Sequence, residues 1–204
     1  MAPLQPIKSK GCQTIVARLT SGMNRKLNPE PTPEGLSGSY FLKDRFRNRV
    51  AIFKPRLEEP FAPLNPKGVS GPLGSEVHVS GILSGSLYLR EVAAFIVDSE
   101  QLFSVPETFL TQVDHPFFLH NAKPSLLTPP SLGLESNQMF TRGDSNRHHL
   151  KSTSARVGSI QKMVVNNGSV SNISVSKLPV FEEQKIALLD LLIMNADRNE
   201  GNIL

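Results

Sequence analysis

Proline cuts this chain into short pieces. Asn28-Pro29-Glu30-Pro31-Thr32-Pro33-Glu34 closes the first segment, and Pro55, Pro60, Pro63, Pro66 and Pro72, interleaved with Gly68, Gly71, Gly74, Gly81 and Gly85, punctuate the next. A proline lacks the backbone donor, fixes φ and pushes its predecessor away from the helical region, so neither a helix nor a sheet ladder passes through these stretches. Regular structure is confined to brief apolar blocks joined by long irregular connections. With 39% hydrophobic residues among 204, those blocks are still enough to bury a core.

The blocks have distinct periods. Residues 1–34 are basic, with Lys8, Lys10, Arg18, Arg25 and Lys26 in the first thirty against the one acid there, Glu30, and read as a solvated, disordered tail ending at a domain boundary near Gly35. The other reading of such an arm is a rest on anionic lipid or nucleic acid; its spread-out charges without interleaved aromatics favour the tail. Gly35 to Leu42, a polar turn Lys43 to Arg49, and Val50 to Lys54 form two antiparallel strands. A long loop follows from Pro55 to about Gly85. Leu87, Ala94 and Phe95 recur at helical spacing around Glu91 and predict a helix over 86–98. Val105 to Val113 suits a strand, 119–152 a polar insertion, Arg156 to Val165 another strand, and Phe181 to Met194 a second helix.

Composition narrows the setting. One cysteine, Cys12, excludes an internal disulfide and a cysteine-rich zinc site and suits a reducing, cytoplasmic compartment. No run approaches the roughly 18 apolar residues of a membrane span, so membrane association would be peripheral. The adjacent pair His148-His149 beside Arg147 and Lys151 reads as solvated surface rather than a metal site. No Ser/His/Asp or Cys/His arrangement stands in a recognisable local context.

What carries chemistry is the order of the remaining features. Ser37, Gly38 and Ser39 let backbone N–H groups approach phosphate oxygens. Lys54 closes an apolar strand, where an ammonium needs an anion. Glu91 shares a helical face with Ala94 and Phe95 and needs a cation, so a Lys54–Glu91 ion pair would satisfy both. The final loop, Asn195-Ala196-Asp197-Arg198-Asn199-Glu200-Gly201-Asn202, delivers a carboxylate and, five positions on, an amide oxygen. That layout serves phosphoryl transfer: Asp197 for the acceptor hydroxyl, Asn202 for Mg²⁺, Arg198 to hold the loop or neutralise charge. A capped turn after a helix is the alternative for the loop alone.

These blocks resemble the phosphatidylinositol 3-/4-kinase superfamily, nearest to the plant-type phosphatidylinositol 4-kinase gamma group. Asn195 to Leu204 is similar to its catalytic loop, Gly38-Ser39-Tyr40-Phe41-Leu42-Lys43-Asp44 to its glycine loop, and Ala51-Ile52-Phe53-Lys54-Pro55 with Glu58 to Pro63 and Asn65 to Gly68 to its nucleotide-lysine segment. Arg90-Glu91-Val92-Ala93-Ala94-Phe95 resembles its Arg-Glu-Val-Ala-Ala-Tyr helix, and Gly158-Ser159-Ile160-Gln161 its strand before the hinge. The likeness spans residues 35–204 in blocks, and their combination in one order is far more specific than any single block.

The resemblance implies an α+β, protein-kinase-like fold: an antiparallel-sheet small lobe followed by the beginning of a helical large lobe. It implies ATP and Mg²⁺ as cofactors, Lys54 on ATP phosphate with Glu91 as its partner, Asp197 as acid/base residue, Asn202 as metal ligand and adenine near Gln161, Lys162, Met163 and Val164. The partners are then ATP, an inositol lipid or a protein acceptor, and an anionic membrane touched peripherally; nucleic acid is not among them. Two departures stand out. Asn199 replaces the family's histidine, and a neutral amide cannot shuttle a proton. A second metal-binding Asp and the rest of the large lobe are expected after Leu204. A protein Ser/Thr kinase on the same scaffold, or a non-catalytic nucleotide-binding module, are the rival readings.

Overall fold

The computed structural model describes residues 1–4, 9–77, 81–120, 154–166, 168 and 177–195. Asp197, Arg198, Asn199 and Asn202 lie outside these residues, as do His148, His149 and all but the first two positions of the expected insertion.

A short edge strand β1 (Ala2–Pro3) precedes helix α1 (Lys10–Asn24). The disordered tail expected over 1–34 is therefore corrected: Ser9 caps α1 by accepting the N–H of Cys12 at 3.4 Å, and Cys12, Ile15 and Leu19 are buried in the main core. Their spacing of three and four residues makes one apolar stripe on a helix whose other faces carry the charge. Burial of each side chain contributes roughly 1.5–3 kcal/mol relative to exposure, enough to outweigh the modest propensity of the segment.

Next come β2 (Glu30–Pro31), β3 (Tyr40–Lys43) and β4 (Arg49–Pro55), then a 3₁₀ turn over Arg56–Glu58. Helix α2 (Leu87–Val97), β5 (Thr108–Asp114), the four-residue α3 (Phe117–His120), β6 (Ala155–Lys162) and α4 (Val180–Ile193) complete the described elements. The β3–β4 hairpin, α2 and α4 form where the hydrophobic pattern places them; β6 stops at Lys162, short of Val165.

The strands make one six-stranded sheet in the order β1-β5-β6-β4-β3-β2, and every adjacent pair is antiparallel. Tyr40 pairs with Phe53, Leu42 with Ala51, Phe53 with Ile160 and Phe109 with Ile160. Side chains alternate along a strand, so these residues share one face. Packed there with Cys12, Ile15 and Leu19 of α1 and Phe118 of α3, they form the core. Ile52, Lys54, Ser159 and Gln161 fall on the other face, in register across β4 and β6. Lys54, Ser159 and Gln161 thus lie on the face opposite the main core.

Candidate functional site

Lys54 lies opposite Ser159, near the end of β4. Its Nζ stands 2.6 Å from Glu91 Oε1 on α2, and both side chains are 27% exposed. The ion pair expected from sequence is therefore present. One ammonium donor serves Glu91, and two more are available for an anion at the partly open end of the pair.

The segment immediately after β4 sets the position of α2. Glu59, five residues beyond Lys54, is buried and accepts the N–H groups of Gly85 (2.6 Å), Leu87 (3.1 Å) and Tyr88 (2.7 Å). A carboxylate there satisfies orphan donors of the first helical turn and complements the positive end of the helix dipole. Burial nevertheless dominates its titration and holds Glu59 above the ordinary carboxylate range, with the three N–H groups pulling the other way. Glu58 is raised for the same reason, desolvation, against the opposing contacts of Tyr40 and Arg156. Tyr40 Oη donates to Glu58 Oε2, and Arg156 Nε lies 3.5 Å from Glu58 Oε1.

The glycine-marked stretch is the connection between β2 and β3, which pair antiparallel. Gly38 differs from expectation: its N–H donates to Glu58 O at 2.8 Å and is committed inside the fold. A Cβ there would lie 2.6 Å from Glu58 Oε2 and 2.9 Å from Pro66 Cδ, so glycine is required for close packing. Ser37 and Ser39 are half-buried on either side of it, and Ser39 O accepts the N–H of Thr32 at 2.8 Å. Two residues outside the candidate set hold this loop. Lys67 Nζ donates to the carbonyls of Thr32 (2.9 Å), Pro33 (3.0 Å) and Glu34 (3.2 Å). Buried Asn65 donates from Nδ2 to Leu36 O, Glu58 O and Glu59 O at 2.8, 3.1 and 3.1 Å. Only a side chain rich in donors, set among prolines that leave carbonyls unpaired, hinted at this in the sequence.

Of the four expected adenine contacts, Gln161 is half-buried on the Lys54 face, paired with Ile52. Lys162 forms an ion pair with Glu107 at 2.9 Å and donates its N–H to Glu107 O. Met163 donates its N–H to Val50 O at 2.9 Å, and Val164 is 39% exposed. Ser159 Oγ, fully buried beside Lys54, has no hydrogen-bond partner among the described residues.

Arg90, next to Glu91, reaches the end of α4. Its Nη1 donates to Ile193 O at 2.9 Å and Met194 O at 3.2 Å, where Met194 takes a left-handed conformation. Asn195 closes the turn through its N–H to Asp190 O (2.9 Å) and its Nδ2 to Asp190 Oδ1 (2.8 Å). The chain two residues ahead of Asp197 is thus tied to the helix that holds Lys54. No group of three or more metal-ligating side chains occurs among the described residues, and none of their helices is long and apolar enough to cross a membrane.

The candidate site is thus a helix-held lysine on an antiparallel sheet, with a clamped glycine loop on the neighbouring strand and a link from the lysine's helix to the end of α4. Comparison with known proteins gives named relatives. Over 187 residues the chain is 34% identical to phosphatidylinositol 4-kinase gamma 6 of Arabidopsis thaliana, covering 91% of this chain and 27% of that protein. It is 31% identical over 207 residues to phosphatidylinositol 4-kinase gamma 7 of the same plant, covering 99% and 29%. With phosphatidylinositol 4-kinase gamma 4 of Oryza sativa subsp. japonica the identity is 34% over 211 residues, covering 100% and 33%. The chain thus spans about a third or less of the length of these curated relatives. No family model matches it.

Proposed function

We propose that this chain is the nucleotide-binding part of a phosphatidylinositol 4-kinase-like phosphotransferase with a kinase-like small lobe, which moves the γ-phosphoryl group of ATP to an inositol-lipid hydroxyl. The Lys54–Glu91 pair at 2.6 Å carries the reading. A lysine held this way meets a nucleotide's α- and β-phosphates with its head already oriented, and such positioning is most of what a phosphoryl-transfer enzyme supplies. The donor set fits the group: a partly exposed ammonium with spare donors, a buried hydroxyl at Ser159, and the half-buried Ser37 and Ser39 at the loop.

In this scheme Lys54 neutralises charge on the bridging phosphates, and Glu91 keeps it there. Asp197 receives the proton of the acceptor hydroxyl as the phosphoryl group departs, Arg198 offsets the charge building nearby, and Asn202 would hold Mg²⁺, which shields the phosphate oxygens. Gln161 to Val164 line the adenine side. The names and the 30–34% identity of the plant relatives support the lipid as acceptor.

The test is a phosphoryl-transfer assay on the complete gene product with labelled MgATP, phosphatidylinositol vesicles and a Ser/Thr peptide offered side by side. Label is expected in the lipid, with Asp197→Ala lowering turnover at least ~100-fold, the lower range of general-base effects. An Asp197→Ala protein as active as the parent overturns the catalytic assignment. Label in the peptide alone overturns the lipid acceptor, and MgATP binding without transfer leaves a nucleotide-binding module.

A further inference from the structure

The fold assembles a basic, aromatic-tipped edge from two segments that are separate in sequence. Helix α1 crosses the β3–β4 hairpin so closely that a Cβ on Gly22 would lie 1.9 Å from Lys43 O. Arg45 donates its N–H to Ser21 Oγ at 3.3 Å, and Arg18 pairs with Asp44 at 2.7 Å. This brings Arg18, Arg25 and Lys26 of α1 and its C-terminal turn beside Lys43, Arg45, Arg47 and Arg49 of the hairpin. Seven cations meet two carboxylates, Asp44 and Glu30. Asp44 is neutralised by Arg18, and Glu30 by Lys43 and Arg49, so Arg25, Lys26, Arg45 and Arg47, all exposed, supply the excess.

At the apex stands Phe46, 68% exposed. Its position is built rather than loose: Asp44 Oδ1 accepts the N–H groups of Phe46 (2.9 Å) and Asn48 (3.0 Å), and Arg47 completes the turn at φ 68°. Between the apex and α1 an open depression of about 290 Å³ is lined by Ala17, Arg18, Ser21, Asp44, Arg45 and Phe46.

We propose that this edge docks on an anionic bilayer surface, with Phe46 inserted at the headgroup boundary and the four unpaired cations over acidic lipid heads. A rigid turn presenting one large apolar group ringed by Arg and Lys is suited to an interface that is apolar below and anionic above. The Arg45 guanidinium lies 4.5 Å over the Phe46 ring, so a cation and the apolar tip are presented together. The edge is at the opposite end of β4 from Lys54, five residues or roughly 17 Å away at strand rise, so it tethers the small lobe and leaves the nucleotide site free. The preference for a bilayer among polyanions rests on the lipid-kinase reading; the docking itself needs no ATP.

The experiment is co-sedimentation of this chain with vesicles of 70:30 phosphatidylcholine/phosphatidylserine, with pure phosphatidylcholine vesicles and a single-stranded RNA in parallel. Binding to the acidic vesicles is expected, weakening as NaCl rises from 0.05 to 0.5 M because the Debye length shrinks. Each basic residue near such a surface is worth ~1 kcal/mol, about fivefold, so Arg45→Gln with Arg47→Asn should lose about 25-fold. Asn tolerates the left-handed position, and circular dichroism should show both variants folded. Phe46→Ser should also weaken vesicle binding. Unchanged affinity of the double variant overturns the proposal, and so does RNA binding without vesicle binding. Because ATP is absent, either result leaves the phosphoryl-transfer assay to stand or fall separately.

Discussion

If Glu91 acts on nucleotide only by holding Lys54, removing it should matter only while the lysine is there. The perturbation is a double-mutant cycle of Lys54→Met and Glu91→Gln, read as MgATP affinity by calorimetry. Lys54 Nζ sits 2.6 Å from Glu91 Oε1 with both side chains about a quarter exposed, at 27%. A lysine side chain carries about 2 kcal/mol of rotamer entropy. A partly exposed anchor suppresses around half of that, so Glu91→Gln alone should weaken MgATP by ~1 kcal/mol, about fivefold. Lys54→Met removes charge-assisted bonds to phosphate worth ~1.5–3 kcal/mol, a loss of roughly 10- to 150-fold. In the Lys54→Met background Glu91→Gln should add nothing, leaving a coupling of ~1 kcal/mol. Equal losses from Glu91→Gln in both backgrounds would refute the reasoning, since Glu91 would then act without the lysine. Such a cycle separates the pair from changes each residue makes elsewhere.

Two further predictions probe the frame around the site. Gly22→Ala should gain ~1 kcal/mol of helix propensity, yet its methyl would meet the Lys43 carbonyl backbone at 1.9 Å. Overpacking of ~1–3 kcal/mol is expected to win, so thermal melting should show a lower Tm; a higher Tm would mean that α1 does not rest on the hairpin. Glu58 titrates above the ordinary carboxylate range because burial disfavours its charge. A raised folded value gives stability that is present below the unfolded pKa and lost as pH rises through the folded one. The Tm difference between wild type and Glu58→Gln should therefore shift in favour of Glu58→Gln from pH 4.5 to 8, and a constant or opposite trend would sink the assignment.

Elements whose determinants sit within a dozen residues are legible in this chain. Val50 to Phe53 beside a polar turn specifies a hairpin, and Glu91 among Val92, Ala94 and Phe95 specifies a helix with its carboxylate turned inward. Even the Lys54–Glu91 pair is legible, because each group states an unmet electrostatic need that the other fills. The reading goes astray at α1, where Lys10, Arg18 and Arg25 dominate the eye although Cys12, Ile15, Leu19 and Gly22 keep a helical period behind the capping residue Ser9. Charge on the solvated face of an amphipathic helix says little about the buried one, so net charge is a poor guide to disorder when such a stripe is present.

The clamps are illegible for a different reason. Lys67 binds backbone carbonyls 33 to 35 residues away, Asn65 joins one 29 residues away to two that lie six and seven away, and Arg90 binds carbonyls 103 and 104 residues away. A carbonyl is the same in every residue, so no pattern of side chains marks the acceptor, and only the fold shows which one is reached. These long contacts are the ones that fasten the glycine loop to the segment after β4 and α2 to the end of α4. A chain built from short proline-bounded pieces can write its elements locally, but it has to assemble its chemistry through donors whose partners carry no sequence signature.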